Sequence, residues 1–457
     1  MAFTKTLEKA FEKYVPSPFV IAVFLTVFTI ILALFFTENT TKGSHIVSIL
    51  KFWEKGVWNN DLLVFGYQMM LILVLGHVLV LSKPMSALTD RITGFVHSTT
   101  SAVILVSVAT MLVAFFNWGL GLIFGAIMAR KVAEASINRG FSINYPLVGA
   151  SGYVGLMIWH GGISGSAPLK VAESGHLQAL MHGITSKEMA AQIPDLIVTS
   201  ETVLSWWNLT IFAVLLLVIP ITLYFLAKNT STKPIHFLKK EESSEFEEEI
   251  SSKQIENSKI AAIGFGALIL VAFFVQYLDT LSKLVITPNM LNFFMLGLGI
   301  VLHGSFRSFA NALGEAISGV SGILIQFPLY FGIMGIMKDA GMVTMISNAF
   351  IHVSNEVTLP VFTFFSAGLV NIFVPSGGGQ WALQGPIVIE SALQLGVPLP
   401  KMVMALSYGD QITNMLQPFW ALPLLAITKL KAKEILPYTV ILMFVGSCVY
   451  LLGLLLT

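Results

Sequence analysis

The sequence predicts an all-α polytopic membrane protein built from two inverted-topology repeats. Each repeat holds a re-entrant hairpin and a broken transmembrane helix, with about nine spanning helices beside the two hairpins. Three observations predict this. Of the 457 residues, 55% are hydrophobic and 11% charged, whereas soluble domains carry about 25% charged residues. Apolar runs long enough to span, about 17–25 residues, recur along the chain. Other apolar stretches are interrupted by Gly, Pro and polar residues, at positions that repeat with a constant offset.

The start, MAFTKTLEKAFEKYVPSP, spaces Phe3, Leu7, Ala10, Phe11 and Tyr14 as one face of a short surface helix, stopped before Pro16. The run at 19–36 follows without a small-residue cleavage site, so it reads as a transmembrane helix rather than a signal peptide. Continuous runs lie near 17–36, 62–82, 207–227, 258–280 and 435–456, with shorter ones at 289–304 and 320–337. Segments 145–180 and 400–430 are long but broken. Segments 99–138 and 357–393 each hold two apolar arms around a polar, Gly-rich centre, the pattern of a hairpin that enters and leaves on one side. The charged stretch 228–259 reads as a solvated linker between the first repeat, 1–227, and the second, 260–457.

With the N-terminus inside, loops 1–16, 83–98, 129–144, 228–259, 305–318 and 429–434 are cytoplasmic. They carry about 18 Lys and Arg against about 8 outside, in keeping with the positive-inside rule. Hairpin 99–138 then opens to the cytoplasm and hairpin 357–393 to the outside. An offset of 254 matches Asn117 with Asn371, Gly125 with Gly379, Pro146 with Pro400 and Gly155 with Gly409, and sets His160 opposite Asn414. Secondary transporters are often built from such inverted repeats, with substrate held at the midplane by broken helices.

The net charge of +1 gives no sign of a nucleic-acid partner. Cys448 is the single cysteine, so no intrachain disulfide forms, and a small apolar filler is its expected role. No Cys/His cluster points to a metal centre or cofactor. Ser376 lies in PSGGG rather than GxSxG, and no other motif suggests an enzyme.

The tip of the second hairpin carries the most specific chemistry. Neither tip has Lys or Arg, so an anion there must rely on helix N-termini. The second arm starts near residues 378–380, where free N–H groups and a dipole of about +0.5 charge face outward. Gly377, Gly378 and Gly379 allow close backbone approach, and Ser376 and Gln380 add hydrogen bonds. A tight packed turn also uses Gly and Pro, and that alternative stays open. Asn117 and Asn371 offer carbonyls that, with freed backbone carbonyls, suit a Na+ ion, or they cap half-helices. Asp410, Thr413, Asn414 and Gln417 share one helical face. Asp410, with Thr413, is the candidate for cation coupling, as Na+ ligand or proton carrier, or it caps a turn near the surface. His160, Ser164, Ser166 and Asn414 are candidates for substrate contact. His160 has two other readings, proton carrier and satisfied buried hydrogen bonder. Trp118, Phe373 and Trp381 wall an acyl tail or simply pack. Arg130 and Glu134 are spaced for a surface ion pair.

The stretch VPSGGGQWALQGPI (374–387) resembles the signature of the short-chain fatty acid uptake (AtoE-type) transporter family. HGGISGSAPL (160–169), SYGDQITNMLQPFW (407–420) and the Pro-Ser-Pro before the first helix extend the resemblance over the whole chain. It implies the ion transporter superfamily, and with it a homodimer in the plasma membrane with a scaffold and a mobile transport domain. The implied cargo is a short-chain monocarboxylate such as butyrate or acetoacetate, carried in cation-coupled symport with Na+ or H+. A carrier for another organic anion, a dicarboxylate or aromatic acid amide, is the nearest rival, and a passive anion channel a second. A doubly charged substrate favours a basic side chain in the site, and none is visible.

Overall fold

A computed structural model describes residues 16–38, 43–181, 191–232, 253–282, 287–317 and 320–457, with isolated positions 6, 10, 13, 14 and 235. The expected N-terminal surface helix and most of the charged linker lie outside the described residues. The regular structure among the described residues is helical throughout. The first half contains α1 (Pro18–Phe36), α2 (His45–Val57), α3 (Asn60–Leu81), α4 (Lys83–Thr93), α5 (Thr99–Phe116), α6 (Trp118–Arg139), α7 (Tyr145–Tyr153), α8 (Ser166–Val171), α9 (His176–Met181) and α10 (Trp206–Asn229). The second contains α11 (Lys259–Ser282), α12 (Pro288–His303), α13 (Phe306–Ile317), α14 (Ser321–Asp339), α15 (Met342–Ile351), α16 (Leu359–Phe373), α17 (Gly377–Leu395), α18 (Leu399–Thr413), α19 (Pro418–Thr428) and α20 (Ala432–Leu456).

Six helices among the described residues are long and apolar enough to cross a membrane: α1, α3, α5, α10, α11 and α20. Five of them fall on the continuous runs of the sequence, and α5 is the first arm of the 99–138 hairpin. Their outward faces carry Phe24, Leu217 and Val275, each more than half exposed, as suits a hydrocarbon surrounding. Helices α2 and α4 mix polar and apolar residues over 13 and 11 positions, too short to register as spans.

Both hairpins form. The first turns at Asn117, whose extended backbone (φ −150°) ends α5 and whose side chain caps α6 by accepting from Leu120 N at 3.0 Å. The second turns at 374–376. Pro375 disfavours helix in the residue before it, so α16 runs through Asn371 and ends at Phe373. Asn371 therefore sits in the last turn of α16 rather than at the tip, and the capping residue of the second hairpin is Ser376.

Glycine sets the closest helix contacts. A Cβ on Gly125 of α6 would stand 1.9 Å from Gly152 O of α7. A Cβ on Gly155 would stand 2.7 Å from Ala114 and 3.1 Å from Thr110. The second of these contacts recurs 254 positions on, where Thr110, Ala114 and Gly155 correspond to Phe364, Gly368 and Gly409: a Cβ on Gly409 would stand 2.1 Å from Phe364 O, and one on Gly368 3.3 Å from Gly409 O. Small residues at helix crossings are the membrane solution where no hydrophobic force drives helices together.

Arg130 is held more firmly than a surface ion pair. Its Nε donates to Glu134 at 3.0 Å as the spacing predicts. Its Nη1 also donates to His77 Nε2 of α3 at 2.8 Å and to Ile427 O of α19 at 3.3 Å, and Nη2 lies 3.7 Å from Glu315 of α13. An always-protonated guanidinium can only donate, so His77 accepts through an unprotonated Nε2. One side chain thus ties the first hairpin to α3, α13 and the C-terminal end of α19.

Gly125→Ala is expected to destabilise by about 1–3 kcal/mol or more, because backbone must move on both sides. Gly264→Ala, in α11 with open space around it, is expected to stabilise by about 0.5–1 kcal/mol. Thermal midpoints of the two purified variants, displaced in opposite directions from the parent, check this.

Candidate functional site

The two broken helices meet at their breaks. After α7 the chain makes two short 3₁₀ turns, Val154–Met157 and Trp159–Gly161, before α8 begins at Ser166. After α18 a 3₁₀ turn, Asn414–Leu416, leads to extended Gln417 (ψ 120°) and the Pro418 that opens α19. Carbonyls freed by one break are taken up by the other. The one hydrogen of Tyr153 OH is shared between Asn414 O at 2.9 Å and Gln417 O at 3.2 Å, and Asn414 Nδ2 donates to Leu156 O at 3.3 Å.

His160 and Asp410, 0% and 1% exposed, pair side chain to side chain across these breaks. His160 Nε2 accepts from Ala167 N at 3.0 Å. A backbone amide only donates, so this network assigns the ring proton to Nδ1, which donates to Asp410 Oδ2. Asp410 Oδ1 is buried without a hydrogen-bond partner. The next residue, Gln411, accepts through Oε1 from His160 N at 2.7 Å and Gly161 N at 3.0 Å. Gly161 O in turn accepts from Asn208 Nδ2 of α10 at 2.9 Å, and Tyr408 OH donates to Asn208 Oδ1 at 2.6 Å.

The tip of the second hairpin rests on this pair. A Cβ on Gly377 would stand 2.7 Å from the Trp159 ring and 2.8 Å from His160 Cε1, so only glycine fits there. Ser376 Oγ accepts from Gly379 N at 3.3 Å, and Gln380 N donates to Ser376 O at 2.7 Å. The N–H groups of Gly377 and Gly378 begin the helix ahead of any intrahelical acceptor. Gly378 has more room, since its Cβ would lie 3.9 Å from Ser166 Oγ. Gln380 turns away from the tip. Its Nε2 bonds to Ala367 O at 2.8 Å and Gln384 Oε1 at 2.7 Å, and Gln384 Nε2 donates to Ser366 Oγ at 3.1 Å, so Gln380 braces the two arms.

Asn371 of α16 meets Asp410, Thr413, Asn414 and Gln417, of which Gln417 lies past the end of α18 in extended backbone rather than on its helical face. Asn371 Nδ2 lies 2.6 Å from Asp410 O, 2.9 Å from Thr413 Oγ1 and 2.8 Å from Asn414 Oδ1. Three oxygens thus converge on an amide with two hydrogens. Gln417 Nε2 donates to Asn371 O, and Thr413 Oγ1 to Gly368 O at 3.0 Å. The oxygens are carbonyl, hydroxyl and amide, a hard donor set of the kind an alkali cation takes. Asn117 has different surroundings at the first tip, where Trp118 N donates to Ser164 Oγ at 2.9 Å and Ile163 N to Phe115 O at 2.7 Å.

Of the aromatics, Trp118 lies at the convergence, 5.9 Å from Trp159 and 5.3 Å from Trp420 between ring centroids. Phe373 stacks on Phe28 of α1, and Trp381 is buried, donating to His176 Nε2 at 3.0 Å, so both serve packing. Sequence reasoning named His160 and Asp410 separately and missed Gln411, Asn208 and Tyr408. A signal for the pairing was present: a buried carboxylate needs a donor, and the breaks hold no Lys or Arg, leaving His160 as the titratable donor.

The comparisons with known proteins bear on what such a site serves. The family described as Short chain fatty acid transporter matches residues 2–457. A protein of Escherichia coli (strain K12), provisionally named a short-chain fatty acid transporter, is 36% identical over 449 residues, 97% of this chain and 96% of that one. A protein of Haemophilus influenzae with the same provisional name is 35% identical over 453 residues, with the same shares covered. Among solved structures, the YdaH transporter of Alcanivorax borkumensis aligns with a TM-score of 0.42 and 12% identity, over 96% of this chain and 97% of that one. MtrF of Neisseria gonorrhoeae aligns at 0.39 and 14%, over 98% and 97%. Likeness at that level is too loose to carry a residue or a mechanism across. The family match and a third of residues identical over nearly the full length settle the larger question: the chain belongs to the short-chain fatty acid transporter family, a multi-pass membrane transporter and not an enzyme.

Proposed function

We propose that the protein carries short-chain monocarboxylates, of butyrate or acetoacetate type, in symport with a cation. The observation that carries this reading is the glycine-rich start of α17 set directly on the buried His160–Asp410 pair. The first-turn amides of α17, with Ser376 and the nearby Ser166, would hold a carboxylate without any Lys or Arg. Asp410 O, Thr413 Oγ1 and Asn414 Oδ1, which converge on the Asn371 amide, would with Asn371 hold the coupling Na+ or, at Asp410, a proton. Asn117 and Ser164 would frame the site from the first tip, with His160 and Asn414 between.

The Gly155 contact that recurs at Gly409, 254 positions on, supports two repeats of one design, and the charge bias of the loops supports opposite entry of the two hairpins. Alternating access would move the hairpin-bearing part against the remaining helices, in a homodimer whose N-terminus and charged linker face the cytoplasm. Arg130, which ties the first hairpin to α3 and α13, is a contact such a movement would have to break.

Labelled butyrate uptake into proteoliposomes, with Na+ and pH gradients imposed separately and protein-free liposomes as control, tests the proposal. Accumulation above the control under one gradient and not the other is expected, and names the coupling ion. Uptake independent of both gradients would favour a passive channel, and no protein-dependent uptake would sink the monocarboxylate reading. Asp410→Asn is expected to abolish accumulation against a gradient. Gly377→Ala, which forces a methyl into His160 and Trp159, is expected to lower the uptake rate at least about tenfold, equivalent to about 1.4 kcal/mol. A Gly377→Ala variant with unchanged uptake would remove the tip from the site.

A further inference from the structure

We propose that Gln411 is a positioning residue that sets His160 against the tip of the second hairpin. The inference rests on the transport reading for its meaning and on geometry alone for its content. The break after Met157 removes the helical acceptors that the amides of His160 and Gly161 would otherwise use. Both amides donate instead to one atom, Gln411 Oε1, at 2.7 and 3.0 Å. Two N–H donors on one atom fix the orientation of the carboxamide, because the flipped amide would set an NH₂ against two N–H groups. Gln411 is fully buried, and its Nε2 has no partner. Its carbonyl is therefore the end that holds structure.

Consecutive residues of α18 thus grip two parts of one histidine. Asp410 takes the ring at Nδ1, and Gln411 takes the backbone. The next peptide is held by Asn208 through Gly161 O, and Asn208 is held by Tyr408 of α18. With backbone and ring both tied to α18, the ring has one place to stand. That place brings Cε1 to within 2.8 Å of where a Cβ on Gly377 would be. Loosening the backbone lets the ring tilt off both Asp410 and the tip. Gln411 need not touch substrate to affect it.

Two variants separate this role from a general packing role. Gln411→Leu keeps the volume and removes the acceptor. Gln411→Glu keeps a carboxyl oxygen for both amides and replaces only the unpartnered amino group. The first readout is the far-downfield proton resonance of an imidazole N–H bonded to a carboxylate, followed in ¹⁵N-histidine-labelled protein and assigned by its loss in His160→Asn. The second is butyrate uptake, resolved into KM and maximal rate. Gln411→Leu is expected to lose the resonance and to raise KM at least tenfold, in protein that still elutes as a folded species. Gln411→Glu is expected to keep the resonance and a KM within threefold of the parent. A Leu variant that keeps both overturns the proposal, as does a Glu variant that loses both, which would put the role in the amino group. Parent protein that shows the resonance but takes up no butyrate would defeat the monocarboxylate reading, while the resonance in the two variants still decides the role of Gln411.

Discussion

A carboxylate taken out of water cannot stand alone, and Asp410 is 1% exposed in a chain surrounded by hydrocarbon. Its pairing with His160 is the contact on which the centre of the molecule depends. The two residues are 250 positions apart, so the pair joins the break in one broken helix to the break in the other. Once the ring is fixed there, the tip of the second hairpin can approach it only through glycine, and Gly377 follows. Once the backbone of His160 is fixed, its amide and that of Gly161 need an acceptor, and Gln411 follows. Separately replaceable as these residues look in the sequence, they answer one constraint.

Around that centre the fold is held by close packing of small residues rather than by burial of large ones. In lipid, apolar side chains gain little by leaving the bilayer, so helices associate through contact and hydrogen bonding. Gly125 against Gly152, Gly155 against Ala114 and Gly409 against Phe364 bring backbones together at distances no side chain allows. Close crossings leave little slack.

The sequence shows the large features because they follow from solvent. Apolar runs become α1, α3, α10, α11 and α20 since only a helix satisfies its own backbone in hydrocarbon. The two hairpins and both breaks are legible for the same reason, since Gly, Pro and polar residues at membrane depth need an explanation. The contacts are less legible. The constant offset sets His160 opposite Asn414, yet His160 pairs with Asp410, because equivalence under a repeat says which residues correspond and not which ones touch. Asn371 matches Asn117 by number, yet Pro375 lets its helix run on and hands the cap to Ser376. Arg130 reads as an exposed i, i+4 pair because its other partners, His77, Glu315 and Ile427 O, lie far away in sequence. Helix α2 escaped notice because hydropathy detects spans and α2 is a short amphipathic helix.

On the transport reading, the absence of Lys and Arg from the tips becomes an argument about coupling. The first turn of α17 offers a partial charge of about +0.5, enough to orient a monocarboxylate and too little to neutralise it. Beside a charged Asp410, a bound carboxylate would be a second negative charge in the same water-poor region. Any two like charges about 6 Å apart, at an effective dielectric constant of about 20, repel by about 3 kcal/mol. That is a loss of about a hundredfold in affinity. A cation at the oxygens around Asn371, or a proton on Asp410, removes the repulsion. The anion and the cation then favour each other's binding by the same amount, as linkage requires. A lysine at the tip would bind the anion unaided and dissolve that dependence. Coupling can therefore be a consequence of leaving the substrate's charge only half answered.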